Sequence, residues 1–165
     1  KYQDVFEEME EIGVKAQRLK EEFLAAVDRD TDAFNELMDA FRMPKKKKED
    51  KEKRDAAIEE ATKNATMVPL SVLRNTREAA ELARRAFEKG NRNSASDAGV
   101  AALNARAAAE GAYFNIKINL AGISDGKFVS EISAEAEKIR DEVVSHTSET
   151  VKITDRYLDE QLKEE

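Results

Sequence analysis

Two sets of polar residues stand where helical spacing calls for apolar ones. The first is a single carboxylate. Val5, Met9, Ile12, Ala16, Leu19, Phe23 and Ala26 recur at steps of three and four, and Ala33, Leu37 and Phe41 continue the row. That is the period of one core-facing helix stripe, and Asp30 falls in register on it. A carboxylate there costs desolvation energy unless it is paired. Two readings follow. Asp30 pairs with an arginine or caps a helix break within Asp28-Arg29-Asp30-Thr31-Asp32, or it marks a site where a raised pKa suits proton transfer. Asp28 and Asp32 lie off the stripe and are expected in water.

The second set is Asp97, Asn104, Asn115 and Asn119. Their separations of seven, eleven and four residues place them near one line of a helix. Ala108 and Gly111 share that line and leave room beside it. A polar line flanked by small residues could hold a flat, hydrogen-bonding ligand; amides that tie neighbouring helices together are the other reading.

The elements that must position these residues are long helices. The first is predicted from Tyr2 to about Phe41, roughly 60 Å at the helical rise, and Met43-Pro44 ends it because the residue before proline leaves the helical region. Lys45–Lys48 and the mixed charges up to Arg54 read as a solvated connection. The second helix is predicted from Glu49 to Lys89 with an apolar face of Ala57, Ala61, Val68, Val72, Ala79, Leu82 and Phe87. Pro69 inside it removes a backbone donor, so a kink or break is expected near Met67-Val68. Gly90 closes that helix, and Ser94 with Asp97 reads as a capping box opening the next.

The third helix, Ala95 to about Leu120, is built almost entirely of small residues. Between Ala98 and Ala109 only Arg106 is charged, so a central, packed helix is expected. Ser124 or Asp125 caps the fourth, which runs to about Lys163 on Phe128, Ile132, Ala136, Ile139, Val143, Val151, Ile153 and Leu158. The fold class is therefore all-α, a bundle of long antiparallel helices in one domain over residues 1–165.

Composition narrows the function. The chain has 165 residues, 38% of them charged, and a formal net charge of −7, which argues against nucleic acid as the main partner. Cysteine is absent, removing thiol nucleophiles and thiolate metal sites and suiting a reducing, cytoplasmic setting. His146 is the one histidine; no zinc or other metal site is expected, and on a charged helix surface His146 reads as solvent-facing. No apolar run approaches a membrane span. There is no Walker A loop, no dinucleotide glycine motif and no serine nucleophile elbow. Opening at Lys1 in what already reads as helix, the chain is expected to be part of a longer protein.

The run Gly90-Asn91-Arg92-Asn93-Ser94-Ala95-Ser96-Asp97, followed by Asn-x-x-Ile-Asn-Leu at Asn115–Leu120 and then Ile123-Ser124-Asp125, resembles the cyclodeaminase/cyclohydrolase family. Asp30-x-x-Ala33-Phe34, Pro44 and Val68-Pro69 extend the resemblance over nearly the whole chain. The family includes formiminotetrahydrofolate cyclodeaminases, often fused to a formiminotransferase, and methenyltetrahydrofolate cyclohydrolases. The resemblance implies a folate enzyme: a cyclodeaminase that converts 5-formiminotetrahydrofolate to 5,10-methenyltetrahydrofolate and ammonia in histidine degradation, or a cyclohydrolase. The alternative from another class is a non-catalytic helical assembly domain.

It implies Asp30 and Asp97 as the catalytic residues, with a helix cap as the competing role for Asp97, and substrate binding by Asn91, Asn93, Ser96, Asn115 and Asn119. It implies a tetrahydrofolate derivative, possibly polyglutamylated, as substrate and no permanently bound cofactor. The lysine run could attract the anionic glutamate tail. A homodimer or higher homo-oligomer is expected from the long apolar stripes. The family's Pro-x-Pro-Gly-Gly-Gly-like loop and the small-residue helix after it have no counterpart in this sequence.

Overall fold

A computed structural model describes residues 3–163. After a short 3-10 turn at Gln3–Val5, four helices follow: α1 (Phe6–Arg42), α2 (Lys48–Lys89), α3 (Ala95–Leu120) and α4 (Gly126–Gln161). The all-α bundle is as expected, and the helix ends fall within a few residues of those read from the sequence. Tyr2, the expected start of the first helix, lies outside the described residues.

The helices are not equivalent. α2, α3 and α4 pack on one another, and α1 docks on α2. Leu70 and Leu73 of α2, Ile116 of α3 and Val143 of α4 are completely buried and form the centre of the shared core with Ala80, Ala109 and Ala136. Leu70 and Leu73 lie outside the stripe read from the sequence, because α2 meets three neighbours and buries a wider arc than one stripe. Small residues let these helices approach closely: a Cβ at Gly99 would stand 2.8 Å from the Thr154 Cγ2 of α4. The buried threonines keep their hydroxyls satisfied within their own helices, as in Thr66 to the Thr62 carbonyl (2.7 Å) and Thr147 to the Val143 carbonyl (2.7 Å), so polar atoms enter the core without unpaired donors.

Charged pairs set direction and register. Arg74 grips Glu135 through two hydrogen bonds of 2.7 and 2.9 Å, and Arg84 reaches Glu149 at 2.6 Å, which runs α4 parallel to α2. On the other side Arg85 bridges Glu8 and Glu11, Arg18 meets Glu78, and the Arg54 guanidinium donates to the Phe41 carbonyl, which fixes α1 antiparallel to α2.

α1 corrects the sequence reading of Asp30. Only its seven-residue row is buried: Ile12, Leu19, Ala26, Ala33 and Ala40. The fully buried positions recur every seven residues along the side of α1 that faces α2, as one row of a two-helix seam does. The second row, Met9, Ala16, Phe23, Asp30 and Leu37, rides at the edge, and Asp30 is exposed. It neither pairs with arginine nor caps a break: α1 runs unbroken through Asp28–Asp32, and Arg29 reaches Glu22 instead. Phe41, expected in the core, is also largely exposed.

Further expectations change. α2 continues through Pro69 without the break that was one of the two expected outcomes there. The Ser94–Asp97 capping box does not form, since the Ser94 side chain makes no cap hydrogen bond; the Asn91 side chain accepts from the Asn93 N–H (3.1 Å) and starts a 3-10 turn, Arg92–Ser94. α3 is buried only on the side facing α2 and α4, and Val100, Leu103, Phe114 and Ile118 on its far side stay in water.

At the α3–α4 corner, Asp125 is the cap. Its Oδ1 accepts from the Lys127 and Phe128 N–H groups, its Oδ2 binds the Lys63 ammonium at 2.8 Å, and its own N–H donates to Glu59. The Lys63 hydrogen bond, aided by the backbone donors, holds the Asp125 carboxyl below the usual carboxylate range. The ionised form is therefore the stabilised one. Its contribution is complete above about pH 3.9 and is lost as pH falls through the lower folded value. Asp125→Ala should melt below the wild type at neutral pH and at pH 5, with the gap closing towards pH 2; calorimetry across that range checks this, and a gap that persists at pH 2 would refute it.

Candidate functional site

Because α1 rests on α2 rather than on α3, a trough of about 750 Å³ runs between α1 and α3 with α2 as its floor. Ala16, Leu19 and Phe23 form one wall, Thr76 and Ala83 part of the floor, and Asn104, Ala105 and Ala108 the other wall. The lining is apolar apart from a few polar groups, which is the usual make-up of a small-molecule site. The small side chains of α3 leave the width. Asp30 follows Ala16 and Phe23 at the same seven-residue spacing, so it continues the α1 wall beyond the trough's end.

Beyond the trough's end, near the level of Asp30, α2 contains Pro69. Proline has no N–H, so the carbonyl of Ala65, four residues earlier, loses its helical donor. The Asn119 side-chain amide of α3 supplies the replacement at 3.2 Å. This explains why α2 does not break, and it gives Asn119 a positioning role by anchoring α3 to α2. Asn115, one turn earlier, donates to the Gly111 carbonyl (3.1 Å) and is exposed. The Arg18–Glu78 and Arg54–Phe41 contacts set the register of α1, which places Asp30 abreast of the Ala65 turn and therefore of Asn119.

The remaining expected site residues sit at the other end. Asn91 and Asn93 are in the α2–α3 connection, and Ser96 and Asp97 are exposed in the first turn of α3. Ala95 and Ala98 pack with Phe87, near the turn of α2 whose Arg85 holds Glu8 and Glu11. From that level of α1 to Asp30 is about 30 Å at 1.5 Å per residue. Helix register thus sets Asp30 at the same level along the bundle as Asn119, with Asn115 one turn away, and holds Asp97, Asn91, Asn93 and Ser96 at the other end. His146 is exposed on α4. Among the described residues no group of three or more His, Cys, Asp or Glu side chains is arranged to hold a metal ion, and no helix is long and apolar enough to cross a membrane. Sequence reading missed the pairing of Pro69 with Asn119, although the signal was present: a proline inside a helix leaves a carbonyl that some donor must meet.

Comparisons with known proteins bear on the same features. A family model described as formiminotransferase-cyclodeaminase matches residues 1–138. The methenyltetrahydrofolate cyclohydrolase of Methylorubrum extorquens is 39% identical over 137 residues, 83% of this chain and 66% of that protein. The formimidoyltransferase-cyclodeaminase of Gallus gallus is 34% identical over 122 residues, 74% of this chain and 23% of that one. The crystal structure of formiminotetrahydrofolate cyclodeaminase from Thermotoga maritima superposes with a TM-score of 0.84 at 26% identity, over 95% of this chain and 74% of that one. The chain thus spans just under two thirds of the cyclohydrolase and about a quarter of the avian protein.

The Asn119–Ala65 contact predicts a specific coupling. Asn119→Ala leaves the Ala65 carbonyl without a donor and should cost about 1–2 kcal/mol. In a Pro69→Ala background the residue-69 N–H can bond Ala65 directly, and the same substitution should cost well under half as much. Urea unfolding of the four proteins in this double-mutant cycle measures the difference; equal costs in both backgrounds would refute the assignment.

Proposed function

The chain belongs to the formiminotransferase-cyclodeaminase family, and we propose that it works on the carbon bridging N5 and N10 of tetrahydrofolate, with Asp30 as the proton-transferring group. The observation that carries this reading is the position of Asp30. It extends the wall of an apolar trough, level with an amide-bearing turn of the facing helix, and is committed to no arginine. A carboxylate so placed can take a proton from one nitrogen and return it to another.

The first reading of the reaction is cyclodeamination. N10 of 5-formiminotetrahydrofolate attacks the formimino carbon on N5 and a tetrahedral aminal forms. Its C–N bond to the former imino nitrogen then breaks, releasing ammonia and leaving 5,10-methenyltetrahydrofolate. The substrate brings its own nucleophile, so no covalent intermediate with the protein is required. Asp30 removes the N10 proton as the ring closes and delivers it to the departing amine. Holding the two nitrogens in line is the other large contribution, and the amide of Asn115 beside the trough is suited to hydrogen-bond the edge of a pterin. The names of the Gallus gallus relative and the Thermotoga maritima structure support this reading. A second reading, hydrolysis of the methenyl bridge, is favoured by the Methylorubrum extorquens relative with its 39% identity. There the same carboxylate would deprotonate the attacking water.

The test follows methenyl product and ammonia together after addition of 5-formiminotetrahydrofolate. Both should rise in step, and Asp30→Asn should lower the rate by about 10²–10⁴-fold while the melting midpoint stays within about 2 °C of wild type, as expected for an exposed position. Hydrolysis of added 5,10-methenyltetrahydrofolate without ammonia release would select the second reading. A folded protein that turns over neither compound would overturn both.

A further inference from the structure

We propose that the trough between α1 and α3 holds the aminobenzoyl-glutamate end of a folate, with Lys20 pairing with a glutamate carboxylate and Asn104 donating to it from the facing wall. This rests on the folate chemistry proposed above and assigns the part of the substrate remote from the reacting carbon.

The lining suits an apolar body with one charged end. Of the residues that form the trough only Lys20, Thr76 and Asn104 are polar, and Lys20 alone is charged. Thr76 is already satisfied, donating to the Leu73 carbonyl at 2.7 Å. The other two are uncommitted. Among the described residues Lys20 enters no ion pair and the Asn104 amide makes no hydrogen bond. Lys20 stands apart in this from the other cations of α1, since Lys15, Arg18, Arg29 and Arg42 each meet an acidic partner. No acidic side chain lines the trough to compete for it. In a chain of net charge −7, an unpaired ammonium on an apolar wall is complementary to an incoming anion, and the low-dielectric surroundings strengthen that attraction.

Helix register sets this pair at a suitable distance from Asp30. The Arg18–Glu78 contact places Lys20 abreast of Thr76, and the Asn119–Ala65 contact places Asn104 abreast of Ala80, one turn further along α2. From Asp30 back to Lys20 is ten residues of α1, about 15 Å. With N10 of the folate beside Asp30, the aryl ring, its amide and the glutamate side chain span on the order of 10–15 Å at ordinary bond lengths. The aryl ring then lies against Phe23 and Leu24 at the near end of the trough, and the carboxylate arrives at Lys20. The Lys45–Lys48 cluster lies in the opposite direction along α1, past its far end and away from the trough.

Calorimetric titration with tetrahydrofolate, which carries no one-carbon unit and so binds without reacting, tests this. The comparison ligand is the N-methyl amide of tetrahydropteroate, the same molecule without its glutamate carboxylates. The wild type should bind tetrahydrofolate about tenfold more tightly, the size of one charge-assisted hydrogen bond. Lys20→Met should remove that preference, Lys20→Arg should keep most of it, and Asn104→Ala should reduce it about threefold. No binding of tetrahydrofolate, equal affinities in the wild type, or a preference that survives Lys20→Met would overturn the subsite. So would a preference lost only when Lys45, Lys46, Lys47 and Lys48 are all changed to Gln, which would give the carboxylate to that cluster. The proposed function fails separately. A protein that turns over neither one-carbon folate, yet binds tetrahydrofolate with a preference that depends on Lys20, would lose the chemistry and keep the subsite.

Discussion

α1 leans on one helix, and that one-sided docking governs the rest of the molecule. A helix with a neighbour on only one side leaves the flank of its apolar stripe open. α1 has α2 and its Arg85–Glu8 and Arg85–Glu11 bridges on one flank, while the flank towards α3 stays open. The trough, the exposed edge position of Asp30 and the uncovered phenylalanines are consequences of the same geometry. α2 can support this because it is wide in burial. Its leucines enter the core with α3 and α4, and Leu82 on another side closes against Ile12 and Leu19.

Beyond the trough's end, α2 carries a local repair. A proline in mid-helix costs stability by deleting a donor and crowding the preceding turn. Asn119 reaches from α3 to the freed carbonyl of Ala65, so the disruption in one helix becomes a fixed contact with another. This sets α3 against α2 in register at the level of Asp30. A second lock sits a few residues further along, where Asp125 caps α4 and binds Lys63 of α2. The Ile123-Ser124-Asp125 motif, which carries part of the family resemblance, is thereby accounted for by helix capping and needs no role in chemistry.

Much of the fold was legible in the sequence. Long apolar periods, Met43-Pro44 and the Ala95 and Leu120 boundaries are local signals, and local signals survive folding. Burial was less legible, because it depends on how many neighbours a helix has. The stripe through Asp30 was correctly periodic, yet only its seven-residue half is covered. The alanines of α3 suggested a packed centre, but small residues also allow a helix to be close on one side and open on the other. The Ser94–Asp97 capping box failed because Asn91, three residues upstream, starts a turn of its own with its side chain. For the candidate site, residue identities were readable while proximity was not: nothing in the spacing of Asp30 and Asp97 reveals that α1 and α3 run in the same direction on either side of the trough, with Asp30 towards the end of one and Asp97 at the start of the other.

The exposure of Asp30 bears on the proton-transfer role proposed for it. A carboxylate in bulk water exchanges protons with solvent and gains little from its position, whereas one shielded from water can pass a proton between two fixed nitrogens. The single chain supplies a wall and a floor for the trough but no roof. Apolar surface is what the rims of the trough present. The uncovered face and the exposed carboxylate are therefore two consequences of the same open flank of α1.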